Sequence, residues 1–387
     1  MSDHEQILIE LLNKIIAEQA LVAPRVKIHP ISSGGANFTT QLFQATISLG
    51  DNELKLFAKV AAVGEKFRQQ LPDFRLFETE NDFYTKLMKI YENLQEKHNV
   101  PQDKRFVAPK CYGCSGKLYE EVIVLEDLSA QGFTVYDRMK SVDWDYASKA
   151  VEEIAKFHAL SFAFENENKE EFDKYLSELT FKWDSENPQF DEIIQKGLSV
   201  VKEENRSRLE AFLATFSWKS FDEISKPAKF TVLAHCDNRV SNQMYKVHED
   251  GRVEVKIVDY QTIRGASPAL DLLYFIFSGT DEKFRAEHYD RLLDHYYNKL
   301  SLAMKRLGLN PDEIYSREDF NFEYQTKLPF GLSLAVITLP LVTIDEENAP
   351  KVDKDLDINN FVLDNTSDVF SERLNGVVND FLRWGFL

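Results

Sequence analysis

Apolar and polar positions recur with two different periods along this chain, and the change of period organises it. Over residues 3–20, Ile7, Leu8, Leu11, Leu12, Ile15 and Ile16 fall at helical spacing, so one face of a helix is expected to be buried. Ser2 and Glu5 stand ahead of it at the spacing of a capping box. Residues 26–30, 38–48 and 54–60 read as strands, since side chains in a strand alternate between its faces. A helix is predicted over residues 74–95, with Phe77, Phe83, Tyr84, Leu87 and Tyr91 as its apolar content. A turn around residues 113–116 and an apolar strand over 121–125 complete this first part.

Helical periods dominate from there on. A helix over 141–164 carries Trp144, Tyr146, Ala150, Ile154, Phe157, His158 and Phe162, with His158 expected to be packed. Residues 165–230 are acidic and aromatic without strand alternation, and include Phe172, Tyr175, Phe181, Trp183, Phe190, Phe212, Phe216 and Trp218. They read as helices, part of which would wall a substrate pocket. One interruption stands out: residues 243–247 and 252–258 alternate on either side of Glu249-Asp250-Gly251, a hairpin signal. Pro268 opens a further helix, as a proline in the first turn does. Residues 281–387 are mostly helical, with a loop at 343–360.

Composition narrows the function classes. The 387 residues suffice for two packed units. A net charge of −18 argues against nucleic acid, whose backbone needs a basic footprint, and favours solubility and a monomer. Three cysteines, an odd number, suggest reduced thiols and a cytoplasmic protein. Cys111-x-x-Cys114 is half a zinc site without a second half, so no metal is assigned to it. Residues 1–22 are acidic and amphipathic, unlike a signal peptide. The most apolar stretch, 329–342, falls short of the roughly 20 residues a bilayer requires, so no membrane association is expected.

The candidate chemistry lies at residues 233–261, which hold His235-x-Asp237-x-x-x-x-Asn242 and, past the hairpin, Asp259-Tyr260-Gln261. About 0.04 chance matches to the first pattern are expected in a chain of ordinary composition. Phosphoryl transfer from ATP needs a carboxylate to receive or orient the attacking hydroxyl, and oxygen ligands that hold Mg²⁺. Asp237 fits the first role, and Asn242 and Asp259 the second, since hard oxygens suit Mg²⁺. Upstream, Ser32-Ser33-Gly34-Gly35-Ala36-Asn37 is a strand-to-strand turn whose backbone N–H groups, with Asn37, would approach phosphates. Lys59 ends the third strand as the phosphate-contacting lysine, with Glu80 as its expected partner and Glu78 second. Glu126-Asp127-Leu128 closes the next strand where a hinge would read the adenine edge. Asp271, on an otherwise apolar helix, is expected to accept backbone N–H bonds from the 235–242 loop, because a buried carboxylate must be hydrogen-bonded. His235 is expected to brace that loop.

These motifs, with Val124-Leu125-Glu126-Asp127-Leu128 followed by Gly132-Phe133, Ala155-Lys156-Phe157-His158-Ala159, Ser267-Pro268-Ala269-Leu270-Asp271-Leu272-Leu273-Tyr274, Phe77-x-x-Glu80-x-x-Phe83-Tyr84 and Gly385-Phe386-Leu387, resemble the ecdysteroid kinase-like family, relatives of choline kinases and aminoglycoside phosphotransferases. The resemblance spans nearly the whole chain. It implies an α+β, two-lobed protein-kinase-like fold, with a small β-rich N-lobe over 1–126 and a larger, mainly helical C-lobe over 127–387. It also implies ATP, Mg²⁺ and transfer of the γ-phosphate to a hydroxyl of a steroid or another small alcohol. In that family roles have been proposed in ecdysteroid inactivation and in detoxification. Two positions depart from its pattern: Cys236 stands where the family usually has glycine, and Ala36 where it usually has an acidic residue. The alternatives are a pseudokinase or ligand-binding module, and a choline- or ethanolamine-type kinase.

Overall fold

The computed structural model describes residues 2–20, 24–34, 37, 39–70, 75–179, 189–215, 226–348, 353–356 and 367–387. Helix α1 (Asp3–Glu18) begins on the expected capping box, in which Ser2 and Glu5 bond each other's backbone N–H. Strands β1 (Arg25–Ile31), β2 (Thr40–Leu49) and β3 (Asn52–Ala61) follow as an antiparallel meander. They join β4 (Cys111–Ser115) and β5 (Val122–Glu126) in a five-stranded sheet of order β1-β2-β3-β5-β4. Alternation along β3 gives the sheet two functions. Leu56, Ala58 and Val60 pack with Leu8, Leu11, Leu12 and Ile15 of α1, whereas Phe57 and Lys59 line a cavity on the other side.

The helical stretch after the sheet is more broken than its periodicity suggests. A short α2 (Glu65–Gln70), not expected from the pattern, comes first. Then α3 (Leu76–Asp82) and α4 (Met88–Lys97) are joined by a π-helical turn at Phe83–Leu87. The widened turn sets Phe83 flat against Tyr260, with ring centroids 3.6 Å apart and planes 15° off parallel. Single π turns of this kind recur at functional sites. The turn expected at 113–116 is, at Gly113, part of β4 instead. A Cβ on Gly113 would come within 3.1 Å of the Ile15 side chain, so this glycine serves the close approach of α1 to the sheet.

The larger helical part contains α5 (Trp144–Glu167), α6 (Lys169–Glu178), α7 (Gln189–Val200), α8 (Glu203–Leu213), α9 (Pro268–Gly279), α10 (Glu282–Arg306), α11 (Pro311–Ile314), α12 (Arg317–Val342) and α13 (Asp368–Arg383). Phe181, Trp183, Phe216, Trp218 and the side chain of Phe190 lie outside the described residues. Two small sheets are set among these helices. The two-residue β6 (Thr134–Val135) pairs with the hairpin of β8 (Gln243–Val247) and β9 (Val253–Ile257), and β7 (Val232–Ala234) pairs with β10 (Arg264–Ala266). The fold is therefore α+β, with an N-terminal sheet and a larger helical part. The apolar run at 329–342 belongs to a helix of 26 residues, longer than the sequence pattern suggests. By length and composition α12 is long and apolar enough to cross a membrane, yet 72% of its apolar window is buried inside the protein.

Candidate active site

Lys59 is the junction of the site. It sits on β3 opposite Leu42 on one side and Ile123 on the other, and its side chain is almost fully buried. Its ammonium lies 2.6 Å from Glu80 Oε2 and 2.5 Å from Asp259 Oδ1. Burial works to lower the affinity of this amine for its proton, but Asp259 and then Glu80 outweigh it and hold the pKa above the ordinary lysine value. The two carboxylates respond differently. Burial raises Glu80 despite Lys59, whereas at Asp259 the attraction of Lys59 overcomes burial and holds the acid below its usual range. Glu80, and not Glu78, is thus the partner of Lys59.

The loop that follows β7 is anchored from α9. Asp271 is fully buried; its Oδ2 accepts from the His235 N–H at 2.8 Å and its Oδ1 from the Cys236 N–H at 2.7 Å. The amide of Asn238 donates to its backbone carbonyl at 3.1 Å. His158 Nε2 lies 2.9 Å from Oδ2, and its Nδ1 2.7 Å from the Tyr296 hydroxyl. Burial alone would raise Asp271, but the hydrogen bond from His158 and the neighbouring loop groups hold it below the usual carboxylate value. The expectation that Asp271 receives the loop's backbone N–H groups is met. Cys236 adopts φ +61°, the left-handed region that favours glycine. His235 braces the loop as expected: its Nε2 lies 3.1 Å from the Val258 carbonyl, and Thr262 donates to its backbone oxygen at 2.8 Å.

This anchoring presents Asp237. The Asn242 side-chain amide donates to Asp237 Oδ2 at 2.8 Å and to its backbone oxygen at 2.9 Å. Arg239 Nε stands 3.2 Å from the same Oδ2. Burial nevertheless raises the Asp237 carboxyl above its usual value, against the pull of Arg239. The Asn242 carbonyl receives the Val258 N–H at 2.9 Å, which ties the loop to the end of β9. The next residue, Asp259, turns at φ +69° and meets Lys59. Because Asn242 uses its N–H₂ on Asp237, its side-chain oxygen remains an acceptor.

A cavity of about 480 Å³ joins these groups. Lys59, Glu80, Asn242 and Asp259 line it, together with Gly34, Asn37, Glu126, Asp127 and Leu128. Asp237 is reached through Asn242 and is not itself part of the lining. Gly34 turns at φ +61°, and Gly35 lies outside the described residues. Asn37 uses its side-chain oxygen on Thr39 N–H at 3.3 Å and the Thr40 hydroxyl at 3.2 Å, so it shapes the turn. The Glu126 and Asp127 N–H groups donate to the carbonyls of Lys110 and Lys55. The Asp127 carboxylate accepts from Ser129 N–H at 2.9 Å, Ala130 N–H at 3.3 Å and Gln44 at 3.1 Å. Asp127 therefore builds the bend that follows β5. Sequence reasoning missed Arg138, which also lines the cavity, and the Phe83–Tyr260 stack. Arg138 lies in a segment without periodicity, and the stack joins residues that share no local pattern. Among the described residues no cluster of three or more His, Cys, Asp or Glu is arranged for a metal, and Cys111 and Cys114 are free, half-buried thiols.

A buried lysine bridging an acid from a helix and an acid beyond a hairpin, beside a loop aspartate, defines a kinase-like phosphotransferase. The chain belongs to the ecdysteroid kinase-like family, whose model matches residues 34–309. Among solved structures it is similar to the GDP and kanamycin complex of APH(2")-IIia, at 12% identity and a TM-score of 0.41 over 84% of this chain and 96% of that one. It is also similar to glucosamine kinase in complex with glucosamine, ADP and inorganic phosphate, at 13% identity and a TM-score of 0.37 over 86% of this chain and 80% of that one. No curated protein matches the sequence significantly.

Proposed function

We propose that this protein is an ATP- and Mg²⁺-dependent kinase that transfers the γ-phosphate to a hydroxyl of a steroid or another small alcohol. The observation that carries the reading is the Lys59 ammonium held between Glu80 and Asp259 at the wall of the cavity. A cation held by two acids is oriented before any ligand arrives, which lowers the cost of placing the phosphates. In this reading Lys59 contacts the α- and β-phosphates. The Gly34 turn covers them, and the Glu126 carbonyl and Leu128 N–H read the adenine edge, with 126/127 as the hinge between the lobes.

The donor set fits magnesium. Asn242 has a side-chain oxygen to give, and Asp259 Oδ2 has only a 3.3 Å contact from Gln261. Two hard oxygens from the protein leave the remaining positions to phosphates and water, as Mg²⁺ prefers. When bound, the ion would neutralise charge that develops on the phosphate oxygens. Asp237 orients the acceptor hydroxyl and receives its proton, with Asn242 and Arg239 fixing its Oδ2. Cys236, the departure that raises a non-catalytic binding module, leaves these contacts in place. The three free cysteines are in keeping with a cytoplasmic enzyme.

The test is a mass-spectrometric screen with ATP and Mg²⁺ over ecdysteroids, other sterols, choline, ethanolamine and simple alcohols. A phosphorylated steroid or alcohol is expected. If no compound gains a phosphate while the protein remains folded, the kinase reading is lost; choline as sole substrate would move it to the choline-type alternative.

A further inference from the structure

Arg138 is the cation of this cavity that the proposed reaction leaves without a role. It follows β6 and reaches the glycine turn: its Nη2 donates to the Gly34 carbonyl at 2.8 Å and its Nη1 to the Val342 carbonyl at 2.9 Å. Val342 ends α12, so this oxygen belongs to the negative end of a helix dipole. Beside it the Ser32 hydroxyl donates to Glu346 at 2.6 Å, a second link between the turn and the segment after α12. Asp345, Glu346 and Asp137 are the acids of its surroundings, but its hydrogen bonds go to neutral carbonyls. A half-buried guanidinium held by two carbonyls has traded water for weak acceptors. The same fork binds phosphate oxygens through two parallel, charge-assisted bonds, which are about twice as strong as neutral ones.

We propose that Arg138 is a phosphate-binding residue of the nucleotide site, which exchanges its Gly34 and Val342 partners for polyphosphate oxygens when nucleotide enters. The proposal rests on reading the cavity as a nucleotide site. The position of Arg138 on the wall of the cavity, bonded directly to the turn expected to cover the phosphates, is what places it within their reach.

Calorimetric titration of wild type, Arg138→Gln and Arg138→Lys with ATP, ADP and adenosine tests this. Loss of a charge-assisted bond predicts about 10- to 100-fold weaker ATP and ADP binding in Arg138→Gln, with adenosine changed less than about twofold. Arg138→Lys should recover part of the loss, because it keeps the charge but not the fork. Equal weakening of adenosine and ATP would make Arg138 a structural brace only. Tighter ATP binding in Arg138→Gln would make it a latch that opposes nucleotide. Either result overturns the proposal. A wild type that binds adenosine but gains nothing from phosphates overturns it as well, while one that binds no adenine compound removes the nucleotide reading itself.

Discussion

Asp271 and Asp259 both stand beside the 235–242 loop, and both are held below the usual carboxylate range, yet their oxygens are used in opposite ways. Asp271 is fully buried and its oxygens are occupied by the His235 and Cys236 N–H groups and by His158. Asp259 is half-buried at the cavity, with one oxygen on Lys59 and the other only weakly engaged by Gln261. A fully buried carboxylate with both oxygens hydrogen-bonded inside the protein can only hold a shape. One with an open acceptor facing a cavity can bind a ligand. The difference between scaffold and site lies in unfilled hydrogen-bonding capacity as well as in burial.

The comparison predicts that residues on the cavity side govern rate and those on the Asp271 side govern stability. The largest effect is expected for Asp237→Asn, which keeps the shape and most contacts but removes the charge. A positioned general base contributes about 10²- to 10⁴-fold, so kcat should fall by about a thousandfold. ATP affinity should stay within about threefold and the melting temperature within about 2 °C, because Asp237 carries no backbone of the loop. Single-turnover phosphorylation together with a thermal melt checks this. A variant that loses stability along with rate would erase the distinction between the two sides.

Asp271→Asn should show the converse. Asparagine puts an N–H₂ where one carboxylate oxygen accepts, which leaves a buried donor unmatched, and hydrogen bonds to a charged group are worth about 1.5–3 kcal/mol each. The pH dependence identifies the cause. A carboxyl whose folded pKa lies below its unfolded value adds stability above the unfolded value, about 3.9, and loses it as pH falls through the folded value. The stability gap between wild type and Asp271→Asn in urea should therefore narrow as pH falls from about 5 towards 3. A gap independent of pH would show that Asp271 acts through shape and not through its charge.

How much of this was legible in the sequence follows the same division. The cavity side could be read because Asp237, Asn242 and Asp259 lie within one short stretch, and because Lys59 and Glu80 follow in the order a strand and a helix supply them. Asp271 could be read because a lone acid on the apolar run of α9 needs donors. What the sequence hid were contacts between segments far apart in the chain. Phe83 meets Tyr260 only through a π turn, and no periodicity announces the extra residue in that turn. Gly113 looks like a turn glycine, and its reason is the Ile15 side chain packed against it. Arg138 looks like any charged residue in a loop until Gly34 and Val342 are seen at its guanidinium.

The smallest predicted effect lies where the two sides meet, at Cys236. Its backbone N–H belongs to the Asp271 network, its neighbour is Asp237, and its φ of +61° is one a side chain makes costly. Left-handed backbone costs an L-residue about 1–2 kcal/mol, which glycine would recover. Against that, glycine would remove a buried side chain worth about 1 kcal/mol and add about 0.5–1 kcal/mol of unfolded-state freedom. The terms nearly cancel, so Cys236→Gly should destabilise by less than about 1 kcal/mol and leave kcat within about threefold. Burial pushes the thiol up to about 12, so it stays protonated and contributes no charge that the change would remove. Cys236→Val keeps the apolar volume but adds a branch that this backbone tolerates poorly, and should cost about 2 kcal/mol and lower kcat as the loop shifts. Urea unfolding and turnover of the two variants decide the matter. A large gain of activity in Cys236→Gly would mean that this residue holds Asp237 away from its working position, and that the Asp271 anchor restrains the site as well as supporting it.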